Sequence, residues 1–446
     1  MTERLKNALK SAQETRDCRI GEALLGQAPA VFGEQFPGAK AVVVADTTTF
    51  ELAGRAVNEA LKAAGLAGGG PSVFDAAGLY AEMAHVERLT ASLAAHDHIP
   101  LAVGSGTVND LTKLASHRCG RPYLCVGTAA SMDGYTAFGA SVVFRGNKQT
   151  FTCPAPRAVL ADLDVIAHAP PEMTASGYAD LMAKVVCGAD WLLADALGIE
   201  PVDARAWEIV QGGLREALAD PAGARAGDRR ALSALVEGLM LGGFAMQYTR
   251  TSRPASGAEH QFSHLWDMEH HTHRGQTPPH GFKVGVATRL VAALYEQVLA
   301  EPFEQLDVAA ACAQWPEWPA AEAQARALFA GTDFPELGVG ETQAKYVSRD
   351  GLAVQLEALK RGWPDLRRKL SAQLLSAEEI KRRLVAVGAP SEPEEIGLSR
   401  ARLRDSVVRA QHIRRRFTVL DLAVRTGCLN RWRNAVFGPG GIWETA

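Results

Sequence analysis

The chain has 446 residues, of which 47% are hydrophobic and 22% charged, with a formal net charge of -3. This is long enough for two domains with real cores, and it is too apolar for a disordered chain. The weak net charge gives no support for nucleic acid or an acidic membrane as a partner. No run approaches the ~18–20 apolar residues of a membrane helix. We therefore expect a soluble protein with neither partner.

The cysteines and the start of the chain bear on its compartment. Seven cysteines are scattered without a CxxC pair, which is typical of reduced thiols rather than of disulfides or a zinc ribbon. The first 17 residues are charged and helix-like, and they lack the apolar core of a signal peptide. These features predict a cytoplasmic location.

The first third of the chain alternates strand-like and helix-like segments. Lys40–Ala45 is a β-branched run typical of a buried parallel strand. Repeated strand–turn–helix units predict an α/β fold with a parallel, Rossmann-like sheet. The predicted elements that follow are helices at Phe50–Ala64, Ala81–Ala95 and Val108–Ser116, and strands at Ile99–Val103 and Pro122–Val126.

The rest of the chain has a different character. A strand pair is predicted over Ser141–Ala161, with its turn at Gly146-Asn147. We place a domain boundary at the proline pair that follows, giving an α/β dinucleotide-binding domain over residues 1–168 and an all-α metal- and substrate-binding domain over 169–446. The helices predicted in the second domain are Tyr178–Ala196, Asp203–Leu218, Arg229–Gln247, Phe282–Leu299, Val354–Leu359, Ala377–Val387 and Arg400–Gly427.

Two small-residue turns follow neighbouring predicted strands. Gly104-Ser-Gly-Thr lies between a strand and a helix, where glycines let the backbone approach an anion and free N–H groups bind pyrophosphate. Taken alone, this segment is better interpreted as a tight strand-to-helix turn, since it matches neither GxGxxG nor a P-loop. Gly127-Thr-Ala-Ala-Ser supplies the second turn. Two such turns at one sheet edge favour nucleotide binding.

Asp46 ends the first of the predicted strands. A carboxylate at this position can accept hydrogen bonds from an adenosine ribose, and it repels a 2′-phosphate. It can also cap the following helix at Asp46-Thr-Thr-Thr. The two roles are compatible, and the sequence leaves both open.

A carboxylate and several imidazoles suggest a metal site. Asp180 lies near the start of a predicted helix, and the i,i+4 spacing of His260 and His264 puts both on one helix face. His280 lies at the mouth of another helix. Such donors suit Zn²⁺, Ni²⁺ or Fe²⁺ with one position left for substrate. By spacing alone, His260 and His264 could instead be surface histidines, and Glu269–His273 (EHHTH) is interpreted as a polar loop.

These motifs, in this order, resemble the sn-glycerol-1-phosphate dehydrogenases, within the group of iron-containing alcohol dehydrogenases and dehydroquinate synthase. The tail segment FTVLDLAVRTG (417–427) resembles the bacterial branch. The motifs that carry the resemblance are GSGTVNDLTK (104–113), GTAASMDGYTA (127–137), PRAVLADLDVI (156–166), MTASGYADLMAK (173–184), SRPASGAEHQFSH (252–264) and HGFKVGVAT (280–288).

The resemblance implies roles for particular residues. Asp180, His260 and His280 would bind the metal, which is nickel or zinc in this branch and iron in the wider group. Asp133 and His264 would face the substrate and move its proton. NAD(H) or NADP(H) would be held by the two turns, with Gly106, Thr107, Val108, Asn109 and Asp110 at the pyrophosphate and Thr128, Ala129, Ala130 and Ser131 at the nicotinamide side.

Several positions depart from the wider pattern. Ser105 replaces a frequent glycine, which is tolerable if its φ is negative. Ala137 replaces a usual serine, so one hydroxyl contact to the cofactor is lost, and Phe282 stands where glutamate is common. None of these changes removes a proposed ligand.

The resemblance implies interconversion of dihydroxyacetone phosphate and sn-glycerol 1-phosphate, by a homodimer acting on a small phosphorylated polyol. The alternatives are a dehydrogenase of non-phosphorylated polyols, a dehydroquinate synthase-like lyase, and a metabolite sensor without catalysis. The basic stretch 399–416 is interpreted as the solvated face of a packed helix. The cations that could bind phosphate, each also explicable as a surface charge, are Lys148, Lys184, Arg253 and Lys283.

Overall fold

The computed structural model describes residues 2–144 and 147–445 and, for residues 147 and 148, the backbone alone. It divides into two compact units. The first contains residues 1–181, 205–254 and 386–388, and the second contains 182–204, 255–385 and 389–446. This division differs from the predicted boundary at 168/169, because the chain leaves each unit and returns to it.

The first unit is built on a six-stranded parallel sheet, which confirms the predicted α/β class. Its strand order is β1-β8-β5-β4-β2-β3. A separate antiparallel pair is formed by β6 and β7. The strands are β1 Asp17–Gly21, β2 Ala41–Asp46, β3 Ser72–Phe74, β4 Ile99–Gly104, β5 Leu124–Gly127, β6 Ala140–Phe144, β7 Asn147–Phe151 and β8 Ala158–Asp162.

The inner strands form because their residues are apolar on both faces. All residues of β2, β5 and β8 are buried, as expected where helices cover both faces of a parallel sheet. In the core, side chains of β2, β4, β5 and β8 pack against the apolar residues of helices Ala28–Gln35 and Arg55–Ala63. This packing fixes the strand ends that carry the two small-residue turns.

Helices cover most of the remaining chain of both units. The helix Pro171–Ala196 runs without a break from the first unit into the second. The other α-helices of the first unit are Glu3–Ser11, Ala28–Gln35, Thr47–Thr49, Arg55–Ala63, Met83–Ala94, Gly106–Arg118, Leu163–Ile166, Leu214–Ala217, Pro221–Ala226 and Arg229–Thr249, together with the π-helical turn Phe50–Gly54 and the short 3₁₀ turn Leu25–Gln27. The helix Ala204–Gln211 begins at the last residue of a second-unit segment and continues in the first unit.

The second unit is helical in the part of the chain that the structure describes. Its helix Ala377–Val387 ends as the chain returns briefly to the first unit. The remaining α-helices are Ala258–Met268, His280–Ala300, Val308–Gln314, Trp318–Phe329, Pro335–Lys345, Arg349–Gln373, Arg400–Ala410, Val419–Arg425 and Leu429–Phe437, and the 3₁₀ turns are Phe303–Gln305, Pro393–Ile396 and Gln411–Ile413.

Several predicted elements need correction. Ser141–Ala161 is not a single strand pair, because its last residues form β8 in the parallel sheet; of the predicted turn, Gly146 lies outside the described residues. The predicted helix Arg400–Gly427 is broken, since the capping box at Thr418 starts a new helix. The predicted helix Val354–Leu359 is part of a 25-residue helix that contains Pro364.

Among the described residues, no helix is long and apolar enough to cross a membrane.

Candidate active site

The two small-residue turns lie side by side at one edge of the sheet in the first unit. Strands β4 and β5 pair in parallel with Gly104 opposite Gly127. The N–H of Thr128 donates to the carbonyl of Gly104 at 3.1 Å, so the starts of the two turns are fixed to each other. The predicted proximity of the two turns is confirmed.

The strand order places these turns at the point where the sheet topology reverses. The chain goes from β2 outward to β3 and then returns to add β4 and β5 on the other side of β2. In open parallel sheets the ligand crevice lies outside the carboxyl ends of the two strands that flank this reversal. Asp46 ends β2 and Gly104 ends β4, so both lie at that position.

The helix Gly106–Arg118 starts directly at the first turn. Ser105 is its N-cap residue with φ -82°, so the negative φ on which tolerance of this serine depends is present. The N–H of Asn109 donates to Ser105 O at 3.0 Å. The earlier amides of the helix, those of Gly106, Thr107 and Val108, are the ones a helix start leaves for an anion.

Asn109 and Asp110 have partners of their own within this unit. The Asn109 side chain is fully buried and accepts a hydrogen bond from the Tyr123 hydroxyl at 3.0 Å. A carboxylate oxygen of Asp110 accepts the N–H of Ser141 at 3.2 Å. Both side chains therefore help to hold the helix against its neighbours, whatever else they contact.

Asp46 caps a helix, as one of its two predicted roles requires. Its carboxylate accepts the N–H of Thr49 at 2.8 Å. In return, the N–H of Asp46 donates to the Thr49 hydroxyl oxygen at 3.1 Å. Only one carboxylate oxygen is used in this bond, and the ribose role is compatible with it.

Lys113 is a structural cation that the sequence analysis did not single out. Its side chain is buried, and its ammonium donates to the carbonyl oxygens of Gly134, Ala137 and Gly139 at 2.9, 2.9 and 3.1 Å. Three acceptors use the three protons of an ammonium group. Lys113 thereby fixes the loop that carries Asp133 and Ala137. A lysine in the third turn of a helix gave no signal of this role.

Close helix packing supports the second turn. A Cβ on Gly177 would lie 1.9 Å from the carbonyl oxygen of Ala130, so only glycine allows helix Pro171–Ala196 to pass so near. The Ser176 hydroxyl donates to the carbonyl of Ser131 at 3.3 Å. Ala129 and Ala130 are buried, whereas Ser131 is half-buried. The helix that carries Asp180 is thus fixed against the predicted nicotinamide turn.

Asp180 and Asp133 are directly connected. Asp180 is fully buried, and one of its carboxylate oxygens accepts the N–H of Asp133 at 3.1 Å. The predicted metal ligand therefore holds the backbone of the residue predicted to move a proton. Asp133 itself is half-buried.

Three imidazoles come together in the second unit. His260 and His264 lie on helix Ala258–Met268, and His280 is the first residue of helix His280–Ala300. The ring centroids are 5.2 Å apart for His260 and His280, and 6.2 Å for His264 with either of the others. His260 is only 7% exposed, so the alternative of surface histidines does not apply to it.

Asp180 completes a set of possible metal ligands. It lies two residues before the point at which its continuous helix enters the second unit. One ligand atom from each of Asp180, His260 and His280 lies within 4.8 Å of the other two. One carboxylate and two imidazoles are donors that Zn²⁺, Ni²⁺ and Fe²⁺ accept, so the donor set fits a divalent transition metal.

Glu259 orients the first of these histidines, His260, a role that no pattern in the sequence indicated. Its fully buried carboxylate lies 2.7 Å from Nδ1 of His260 and also accepts the N–H of Gly257 at 2.7 Å. Because a carboxylate only accepts, Nδ1 carries the proton and Nε2 is left with a lone pair. This is the usual arrangement around a metal-binding histidine.

Asp190 fixes the helix that presents the histidines. Its buried carboxylate accepts the N–H of Ala258 at 2.7 Å, the Tyr295 hydroxyl at 2.7 Å and the N–H of Val419 at 2.8 Å. It thereby joins both histidine-bearing helices to the C-terminal segment. The sequence did not indicate this role of Asp190, because the three residues that it contacts are distant from it in sequence.

Three of the four predicted phosphate-binding cations are buried. Lys184, Arg253 and Lys283 are each at most 1% exposed, so the alternative of solvated charges is wrong for these three. Lys283 forms a buried ion pair with Asp267. The side chain of Lys148 lies outside the described residues.

The EHHTH segment and the basic stretch 399–416 each contain both solvent-facing and buried side chains. The EHHTH segment is a loop after helix Ala258–Met268, yet His271 within it is buried, with Nε2 2.7 Å from the Ile396 carbonyl oxygen. In the basic stretch, Arg400 and Arg415 form ion pairs at the surface. Arg414 is different, because burial lowers its pKa below the usual range.

A family model and several individual proteins are similar to this chain. A family model described as iron-containing alcohol dehydrogenase matches residues 19–170. A glycerol-1-phosphate dehydrogenase [NAD(P)+] of Halalkalibacterium halodurans is 36% identical over 256 residues, covering 57% of this chain and 64% of that protein. The chain thus matches slightly less than two thirds of that relative's length. The enzyme of the same name from Geobacillus stearothermophilus is 30% identical over 321 residues, covering 72% of this chain and 70% of that protein.

A solved structure extends the comparison of the fold. Glycerol dehydrogenase from Schizosaccharomyces pombe superimposes with a TM-score of 0.56 at 16% identity, covering 94% of this chain and 90% of that one. At this identity the likeness concerns the fold alone.

Proposed function

This chain belongs to the glycerol-1-phosphate dehydrogenase family, and we propose that it interconverts dihydroxyacetone phosphate and sn-glycerol 1-phosphate with NAD(H) or NADP(H) and one divalent metal. The observation that carries the proposal is the convergence of one carboxylate and two imidazoles, with ligand atoms within 4.8 Å of one another, in a chain of this family. The relatives at 30% and 36% identity are named glycerol-1-phosphate dehydrogenase [NAD(P)+].

We assign the dinucleotide to the sheet edge of the first unit. The amides of Gly106, Thr107 and Val108 would hold the pyrophosphate, with Asn109 and Asp110 fixing their helix. Asp46 would bind the ribose while it caps its own helix. A bound nicotinamide would supply the hydride chemistry. Thr128, Ala129, Ala130, Ser131 and Ala137 would form its surroundings. The reversal of strand order between β2 and β4 supports this placement.

We assign Asp180, His260 and His280 as the metal ligands. A divalent metal held there would supply a Lewis acid that stabilises negative charge on a substrate oxygen. Glu259 would keep His260 in the tautomer that presents Nε2, because its carboxylate lies on Nδ1 at 2.7 Å. Asp180 would hold the backbone N–H of Asp133 while it acts as a ligand.

Asp133 and His264 are proposed to move the substrate proton. Asp133 lies in the loop that Lys113 fixes through three carbonyl bonds, so its position is set before substrate arrives. His264 is a half-buried imidazole next to two proposed ligands, and imidazole exchanges protons near neutral pH. Either group could hold or release a proton at the substrate hydroxyl.

Finer points of the proposal follow from the family resemblance. We expect nickel or zinc before iron, a homodimer, and a cytoplasmic location. Buried cations are better phosphate ligands than solvated ones, because low dielectric strengthens their attraction to an anion. Lys184, Arg253 and Lys283, all at most 1% exposed, are therefore the proposed candidates for the substrate phosphate.

The test compares substrates that differ only by the phosphate. NADH and NADPH oxidation is followed with dihydroxyacetone phosphate and with dihydroxyacetone, and the reverse reaction with sn-glycerol 1-phosphate and with glycerol. We expect kcat/KM to be at least 100-fold higher for the phosphorylated member of each pair. Equal rates would favour a dehydrogenase of free polyols. No net change in NAD(P)H with any of them would contradict the proposal and favour a lyase or a sensor.

A further inference from the structure

The helical second unit contains a cavity that the proposed reaction does not use. It has a volume of about 470 Å³ and is formed by helices Trp318–Phe329, Pro335–Lys345 and Val419–Arg425 with the turn Gln411–Ile413. Small-molecule sites in proteins usually have volumes of roughly 300–1,000 Å³. This cavity is therefore large enough for an organic ligand.

The walls of the cavity are mostly apolar and partly aromatic. Trp315 and Tyr346 stack with their ring centroids 5.9 Å apart, and Leu328, Val408 and Val424 add aliphatic surface. Paired aromatic rings offer a flat face to a ligand of similar shape. The walls thus suit an apolar, planar body.

The cavity also contains buried charges. The side chains of Lys345 and Asp421 are 6% and 2% exposed, and they form an ion pair at 2.6 Å. Arg425 is 4% exposed, and its guanidinium donates to neutral acceptors, the Gln355 side chain and the Lys345 carbonyl oxygen. It forms no ion pair with any residue in the described chain. Its charge has no carboxylate of its own.

His412 also lines the cavity and adds no charge near neutral pH. Burial lowers the pKa of His412 to about 4, so its ring is neutral. Among the described lining residues there are two cations, Lys345 and Arg425, and one anion, Asp421. A buried charge without a counterion is costly. The surplus of one positive charge can be offset by an anion that enters the cavity.

We propose that this cavity binds an amphiphilic organic anion, with one carboxylate or phosphate group directed at Arg425 and an apolar, aromatic-sized body between Trp315 and the aliphatic wall. Both the apolar walls of the cavity and its surplus positive charge favour an amphiphilic anion. A neutral ligand would leave the surplus charge in place, and a cation would add to it. The inference does not depend on the reaction proposed above.

The first test is a series of ligands titrated calorimetrically into the full-length protein. The probes are 2-naphthoate, its neutral isostere naphthalene-2-carboxamide, and 2-naphthyl phosphate. We expect the carboxylate, the phosphate or both to bind at least 10-fold more tightly than the amide, and the tighter of the two identifies the anionic group. If neither anion binds better than the amide, the proposal fails.

The second test locates the binding. Ala327 is exposed and lines the cavity, so Ala327→Trp would place a large ring across it without disturbing the core. Ala323 is exposed on the same helix and does not line it, which makes Ala323→Trp the matched control. We expect the first variant to lose at least 10-fold in affinity for the preferred anion and the second to bind like the unmodified protein. Equal affinity in both variants would place the binding elsewhere and overturn the proposal.

The third test concerns the surplus charge. Arg425→Gln should lower the affinity for the anion at least 10-fold, to that of the carboxamide, and leave the carboxamide itself unaffected. If this variant does not fold, the ligand series and the Ala327→Trp comparison still decide the matter. Unchanged discrimination between carboxylate and carboxamide in a folded Arg425→Gln protein would contradict the role of this residue.

Discussion

At the scale of single residues, the proposed metal site depends on which nitrogen of His260 carries its proton. Glu259 decides this, since its carboxylate accepts from Nδ1 at 2.7 Å in a fully buried position. The sequence pointed to the donors His260, His280 and Asp180 but not to Glu259, because a glutamate next to a histidine is common. The contact between Glu259 and His260 is visible only in the structure, where the same carboxylate also accepts the N–H of Gly257 at the start of the helix.

Glu259→Gln should weaken metal binding without removing a ligand. The amide no longer demands a proton on Nδ1, so His260 can adopt the wrong tautomer. We expect the dissociation constant of the metal to rise about 10–100-fold, as for other residues that orient metal-binding histidines. The measurement is a competition titration with a chelator. Gln261→Leu is the control, because that buried amide contacts the Arg416 carbonyl instead of an imidazole. An unchanged constant for Glu259→Gln would contradict this role.

His412 predicts a pH effect on stability. Burial lowers its pKa from 6.5 to about 4, so between these values the unfolded chain binds a proton that the folded chain does not. The free energy of unfolding should therefore fall as the pH decreases from about 6.5 towards 4. From pH 7 to pH 5 the loss is about 2 kcal/mol.

The measurement for this effect is urea denaturation at pH 7 and pH 5 of the unmodified protein and of His412→Asn. The asparagine keeps a polar amide near the Thr342 hydroxyl, which lies 2.7 Å from Nδ1 of His412, but it does not titrate. The variant should lose about 2 kcal/mol less over this range. An identical pH dependence of the two proteins would show that His412 is not responsible.

At the scale of elements, close contact between a helix and a turn determines the geometry of the first unit. The helix Pro171–Ala196 passes the turn 127–131 at Gly177, where there is no room for a methyl group. The sequence predicted both elements and the parallel sheet, because inner strands such as β2 are uninterrupted apolar runs. It missed the outer strands β1 and β3, which are short and partly exposed and therefore have no such pattern.

Gly177→Ala should distort this contact. The added Cβ would lie 1.9 Å from the Ala130 carbonyl oxygen, which is backbone and cannot rotate away. We expect a loss of about 1–3 kcal/mol or more in the free energy of unfolding, together with weaker NAD(H) binding. Thermal denaturation and nucleotide titration measure the two effects.

Gly340→Ala is the control, because we expect it to stabilise the protein where Gly177→Ala destabilises it. This helical glycine is exposed, with nothing within 4 Å of an added Cβ. The alanine should stabilise the protein by about 0.5–1 kcal/mol through higher helix propensity. If Gly177→Ala were as stable as Gly340→Ala, the close approach of helix and turn would be refuted.

At the scale of the whole molecule, the chain passes more than once between its two units. The sequence suggested one boundary near residue 168, where prolines follow the last predicted strand. Helices such as Arg229–Thr249 nevertheless belong to the unit that contains the sheet. Amphipathic periodicity reveals that a helix has a buried face, but it does not reveal which partner covers that face. Long-range packing decides unit membership, and it is absent from a local pattern.

The most direct test of the metal-dependent dehydrogenase is metal content measured together with turnover. Purified unmodified protein and His280→Ala are analysed by mass spectrometry for bound metals and assayed for NADH oxidation with dihydroxyacetone phosphate. His270→Ala is the control, because that histidine is exposed and paired with Asp333. We expect about one equivalent of divalent metal and full activity in the unmodified and control proteins, and neither in His280→Ala. Full turnover by a metal-free His280→Ala protein would contradict the proposal.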